Sequence, residues 1–212
     1  MEIKLLRNKP SSIPKIKIIP EYLAKGITKK NYDKTKKAFN VPWMGVVAMV
    51  FSNYSNFYNA LWKYIRPLSA SLEFNVLCNK MVNLSNKKIK ELKPKSIVKK
   101  LKNIGYNDHE INSIYKVNKV FTYGNMPYLI MATVARIMLE RIELKNENKF
   151  SVYKARKPFN NESLILMEEN HADESIKKVY MSIKSNIGLP FVNTDYRAFA
   201  RWPTYFTMSW QS

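Results

Sequence analysis

The chain has 212 residues, 36 Lys and Arg against 16 Asp and Glu, and 46% hydrophobic residues. That apolar content supports a packed core and excludes wholesale disorder, while five glycines and ten prolines exclude a collagen-like or low-complexity chain. A single cysteine, Cys78, excludes an intramolecular disulfide framework, a Cys-rich zinc site and a two-cysteine redox motif.

Residues 1–10 carry charge without an apolar stretch and do not read as a signal peptide. The longest nearly apolar run, residues 41–51, is about half the roughly 20 residues a membrane span needs. These features predict a soluble, cytoplasmic protein with no membrane span. Of the basic residues 29 are lysine, and asparagine and isoleucine are also plentiful. An A- and T-rich genome produces that bias without selection for nucleic acid. The formal +20 charge still favours anionic partners of any size.

Taken in chain order, the dominant period is helical. Pro42 suits a first helical turn, and Trp43, Val46, Val47 and Val50 recur behind it at i, i+3, i+4 and i+7. After a polar break at 52–55, Phe57, Tyr58, Leu61, Trp62 and Ile65 form a second stripe, which Pro67 punctuates. Leu68, Leu72, Val76 and the run 78–82 predict a third helix. The lysine-dense segment 85–103 holds a short helix near 97–101, with Gly105 as its stop.

Asn107, Asp108, His109 and Glu110 read as a capping box that starts a helix through Ile111, Ile114, Tyr115 and Phe121. In the run 123–127, Gly124 is expected to end this helix and Pro127 to open the next. That next helix, near 127–142, is apolar almost all round, from Leu129 to Leu139, and is expected to be buried mid-bundle. Alternation of the β type is confined to 163–167, so the predicted class is all-α, a helical bundle.

Shifting the chain by 148 residues aligns 16–64 with 164–212 without a gap. Identities include Glu21 with Glu169, Tyr32 with Tyr180, Pro42 with Pro190, Phe51 with Phe199 and Trp62 with Trp210. Lysine matches come cheaply in this composition, whereas aromatic and proline matches do not. The pattern predicts a tandem repeat, or pseudo-dimer: a first repeat at 1–145, a polar linker at 146–162, and the start of a second repeat at 163–212. By this reckoning about 80 residues of the second copy are missing, and the last stripe, ending at Trp210, is left unpartnered. A homo-oligomer in which two chains cover each other's apolar faces is the resulting expectation.

Few residues offer chemistry. The sequence has no Gly-rich phosphate loop and no nucleophile elbow. His109 and His171 lack ligand spacing, so no metal site is expected. Glu168, Glu169, Asp173 and Glu174 read most simply as a solvated acidic helix start. Asn125 stands just before the expected helix start at Pro127, where free N–H groups suit an anion or an oriented water. An asparagine in a turn or cap is the commoner meaning of such a pattern. Asp195 lies in a first helical turn, ordinarily a matter of dipole complementation. It aligns with Val47, however, a position expected to be buried in the first copy. A carboxylate there is costly and becomes a candidate base with a raised pKa.

Three segments carry a resemblance: Val41, Pro42 and Trp43; the run 121–128 with Gly124, Asn125, Pro127 and Tyr128; and the run 195–203 with Asp195, Tyr196, Trp202 and Pro203. In this order and spacing they resemble the group I 2-haloacid dehalogenases, helical enzymes acting on both D and L substrates. The resemblance runs from about Ile19 to the end and includes that family's duplicated architecture. It implies a cofactor-free hydrolysis of a small anionic 2-haloacid. Asp195 would deprotonate a water that attacks C2 in-line and inverts it, with no enzyme ester, and Asn125 would hold that water. Trp43, Val46, Tyr123 and Thr194 would be substrate-binding, with Val46 standing where the family has phenylalanine.

Two other readings compete. One is a catalytically silent lysine-rich module that binds nucleic acid or an anionic membrane; the aromatic residues fall on apolar faces, which argues against nucleic acid. The other is a non-functional gene fragment.

Overall fold

Local signals set several helix ends in the computed structural model, which describes residues 17–144 and 164–212. After a 3-10 turn at Glu21–Leu23 come α1 (Gly26–Phe39), α2 (Val46–Ser52), α3 (Ser55–Ser69), α4 (Leu72–Leu92), α5 (Val98–Asn103) and α6 (Asp108–Leu139). Then follow α7 (Glu174–Ile187), α8 (Thr194–Phe199) and α9 (Pro203–Gln211). No β-strand occurs among the described residues, so the all-α class holds. The chain divides into two compact units, a larger one described over residues 18–144 and a smaller one formed around Ile165–Gln211. The linker expected at 146–162 lies outside the described residues.

In the larger unit α6 packs against α2, α3 and α4. The capping box is present as expected: the Glu110 N–H donates to Asn107 Oδ1 and the Asn107 N–H donates to Glu110 Oε2, both at 2.9 Å. Two orphan donors of the helix start are thereby satisfied. Gly105, at φ +101°, marks the stop after α5, again as expected.

Four expectations about element boundaries and faces are corrected. The helix after Pro42 starts only at Val46, because tertiary partners take the backbone groups before it. The Tyr128 hydroxyl donates to the Trp43 carbonyl at 2.6 Å, and the Met44 N–H donates to Glu21. The buried residues of α2 are accordingly Ala48, Met49 and Ser52, while Val46, Val47 and Val50 are half-buried. Pro67 sits inside the last turn of α3 rather than ending it. There its missing N–H costs one bond and the helix closes two residues later. In α4 the inward face is Phe74, Cys78 and Val82, with Leu72 and Val76 exposed.

Gly124 and Pro127 do not break α6, which runs unbroken past both. A glycine costs about 1 kcal/mol and an interior proline about 3 kcal/mol in a helix. Both residues are buried, so packing offsets that cost. Nor is the C-terminal half of α6 covered all round. Ile130, Met131, Val134 and Ala135 face inward, but Leu129 and Leu139 are exposed.

The smaller unit has its own core of Ala172, Ile176, Val179, Tyr180, Ile183, Val192, Ala200 and Phe206. The stripe expected to be left bare is partly used here. Phe206 and Trp202 are buried, and the Trp210 indole N–H donates to Ser182 Oγ at 2.9 Å. Three helix starts in this unit fall 148 residues after those of α1, α2 and α3. Internal contacts recur at the same shift. Tyr32 donates to the Ile19 carbonyl and Tyr180 to the Met167 carbonyl; Lys36 pairs with Glu21 and Lys184 with Glu169, each at 2.6 Å.

Candidate active site

In the larger unit the candidate residues gather about α6. Trp43 is buried, with its indole between Phe121 and Tyr128 and its edge on Gly124. A Cβ at Gly124 would lie 2.1 Å from Trp43 Cη2, so this glycine is a packing requirement, not a helix stop. Tyr123, half-buried, and Asn125, exposed, flank it in sequence. Asn125 therefore lies within a continuous helix, and the helix N-terminus expected there does not exist. Its backbone cannot offer the free N–H groups of a helix start, so any chemistry belongs to its side-chain amide. Val46 is the half-buried first residue of α2.

In the smaller unit Thr194 and Asp195 form the first turn of α8, behind an extended Asn193 whose side chain makes no cap bond. Asp195 is half-buried, and so is its counterpart Val47. The expectation that the first copy buries this position fully is corrected, because α2 turns Ala48 and Met49 inward instead. The raised pKa nonetheless follows from the structure. Burial pushes the Asp195 carboxyl up, opposed by backbone N–H groups, including that of Tyr196 at 3.0 Å, and by the Arg197 guanidinium. The Tyr196 phenol is pushed up in turn by burial and by the Asp195 charge.

One residue pair of this unit was missed in the sequence. Arg197 Nη1 donates to both carboxylate oxygens of Glu168, at 2.6 and 2.8 Å, and Nη2 reaches Thr194 Oγ1 at 3.4 Å. Glu168 is therefore not part of a solvated helix start. It precedes α7, whose true acidic start is Asp173, accepting from the Ile176 N–H, followed by Glu174. The signal was available in the internal alignment, where Glu168 and Arg197 stand opposite apolar Pro20 and Met49. Arg197 Nε is buried without a partner among the described residues. No group of three His, Cys, Asp or Glu side chains converges to hold a metal among the described residues. Nor is any described helix long and apolar enough to cross a membrane.

No family model matches the chain. It is 39% identical over 209 residues to an (R)-2-haloacid dehalogenase of Rhizobium sp. (strain NHG3), an alignment covering 98% of this chain and 81% of the relative. The chain belongs to the 2-haloacid dehalogenase family. A second family member, an (R)-2-haloacid dehalogenase of Pseudomonas putida, is 31% identical over 204 residues, 92% of this chain and 66% of that protein. Among solved structures of dehalogenases, a D-2-haloacid dehalogenase mutant in complex with D-2-CPA superimposes with a TM-score of 0.86 at 26% identity. A complex of D-2-haloacid dehalogenase with L-LA gives 0.82 at 27% identity. Each match covers 96% of this chain and 72% of the other.

Proposed function

We propose that this chain hydrolyses 2-haloalkanoic acids to 2-hydroxy acids, with Asp195 as the base. The observation that carries the reading is a carboxylate raised in pKa by burial, in the first turn of α8, in a chain 39% identical to an (R)-2-haloacid dehalogenase. Water is a poor nucleophile, and a positioned base of this kind contributes roughly 10²–10⁴-fold. In the proposed step Asp195 takes a proton from water as the water oxygen bonds to C2 from the face opposite the halogen. The carbon–halogen bond breaks, halide leaves with the bonding pair, and the carbon inverts. No ester to the protein forms. By the resemblance, Asn125 is the residue proposed to hold the water, and Trp43, Val46, Tyr123 and Thr194 are proposed as substrate-binding. The cationic surface gathers the anionic substrate.

Two features of the reading reach further. The recurring contacts at a shift of 148 residues support a duplication, in which the second copy acquired the base that the first lacks. The relatives' names carry (R) or D, which favours the (R) enantiomer over equal use of both. Self-association of the chain is part of the proposal and is read by sedimentation across a concentration series.

The test is chloride release from (R)- and (S)-2-chloropropionate by the wild-type chain and by Asp195→Asn. Release by the wild type and its loss in the folded variant are expected. In oxygen-18 water a single turnover should label the product. Label entering the protein's carboxylate first would replace direct attack with an ester mechanism, and no halide from either enantiomer would refute the activity.

A further inference from the structure

Helix α8 has six residues and no side-chain cap on Asn193. So short a helix is marginal on its own and takes its geometry from tertiary bonds. Those bonds come from one residue. Arg197, only 12% exposed, spans from both oxygens of Glu168 to the hydroxyl of Thr194, and its carbonyl accepts from the Met167 N–H at 3.0 Å. The segment before α7 is thus tied to the turn that carries Asp195. In the larger unit the four equivalent positions are Pro20, Val46, Val47 and Met49, all apolar. Glu168, Thr194 and Arg197 therefore differ together from that unit as one hydrogen-bonded polar set, with Asp195 next to Thr194 on the same turn.

We propose that Arg197, clamped by Glu168, is a positioning residue that sets the orientation of the Thr194–Asp195 turn for dehalogenation. The inference rests on the proposed role of Asp195. Arginine suits this role because its planar fork sends Nη1 to the Glu168 carboxylate and Nη2 toward the Thr194 hydroxyl, which fixes direction as well as distance. Among the described residues, Arg197 is the cation whose charge acts on Asp195. The Tyr196 phenol neighbours Asp195 on its own helix, Tyr180 on α7 lies near Arg197 and Glu168, and α9 brings no charged side chain, only the phenol of Tyr205.

The discriminating variant is the double substitution Glu168→Pro with Arg197→Met, which puts into the smaller unit the apolar pair the larger one uses. Replacing a buried ion pair by apolar side chains often leaves stability unchanged or higher, and this pair is only part-buried, so the fold is expected to survive. Chloride release should fall about tenfold or more in kcat, with KM changed by less than about threefold, because misplacing a reacting group costs rate first. Glu168→Gln should lose less, and Arg197→Lys, which keeps the charge without the fork, should recover only part. The Asp195 carboxyl titration, followed by carbon-13 NMR in the free protein, should move upward in Arg197→Met. A normal kcat and an unmoved Asp195 titration in the folded double variant would overturn the proposal and leave the pair a structural strut. If the wild type releases no halide, the functional reading fails on its own, and the titration still decides whether Arg197 governs Asp195.

Discussion

The ring edge of Trp43 occupies the space a side chain at Gly124 would need, with Cη2 only 2.1 Å from an ideal Cβ position. Gly124→Ala is therefore expected to destabilise the larger unit by about 1–3 kcal/mol through overpacking. Trp43→Phe, which removes the offending atoms, should be less harmful in the Gly124→Ala background than alone. Urea denaturation of the four proteins measures the coupling, and additive losses would contradict the contact.

The Asp195 carboxyl has a folded-state pKa above its unfolded value, through burial. The folded protein thus holds that proton more tightly, and the ionised form carries a desolvation cost. The cost is absent below about pH 3.9, where the group is protonated in both states, and complete above the folded pKa. Asp195→Asn should therefore be more stable than wild type at neutral pH, with the gap closing as the solution is acidified. Thermal melts between pH 3.5 and pH 8 would show it; a gap that widens in acid would mean the shift has the opposite sign.

Activity should follow the same group. A base with raised pKa gives a rate that climbs with pH through an acid limb lying above the ordinary aspartate value of 3.8. A profile of kcat/KM for chloride release, flat down to pH 4, would exclude Asp195 as that base.

The capping box of α6 predicts a loss of stability without a loss of chemistry. Asn107→Ala removes the acceptor for the Glu110 N–H and should cost about 1 kcal/mol. Chloride release at a temperature where the variant is folded should match wild type.

Equivalent tyrosines give a test of the duplication. Tyr32 and Tyr180 donate to the carbonyls of Ile19 and Met167 at 2.7 and 2.8 Å. Each Tyr→Phe change leaves a carbonyl short of a partner and should cost about 1 kcal/mol. Hydrogen exchange should localise each loss to the unit that carries the substitution. Loss of protection in only one of the two would argue against equivalent roles.

Sequence periodicity and end signals by themselves determined the all-α class, the capping box at Asn107, the stop at Gly105 and the 148-residue correspondence. Those signals are local, or repeat locally, and need no knowledge of what packs where. Asp195 was legible as a candidate because a carboxylate stands where the 148-residue shift places Val47. Only the tertiary structure decided that α2 waits until Val46, because Tyr128 and Glu21 take the backbone groups before it. It also decided that Gly124 and Pro127 lie within one helix. A glycine can mean either a stop or a close approach, and the indole of Trp43 makes it the second. The partnership of Glu168 with Arg197 joins residues 29 apart in the chain. No helical or strand period links them, and folding alone brings the two charges together.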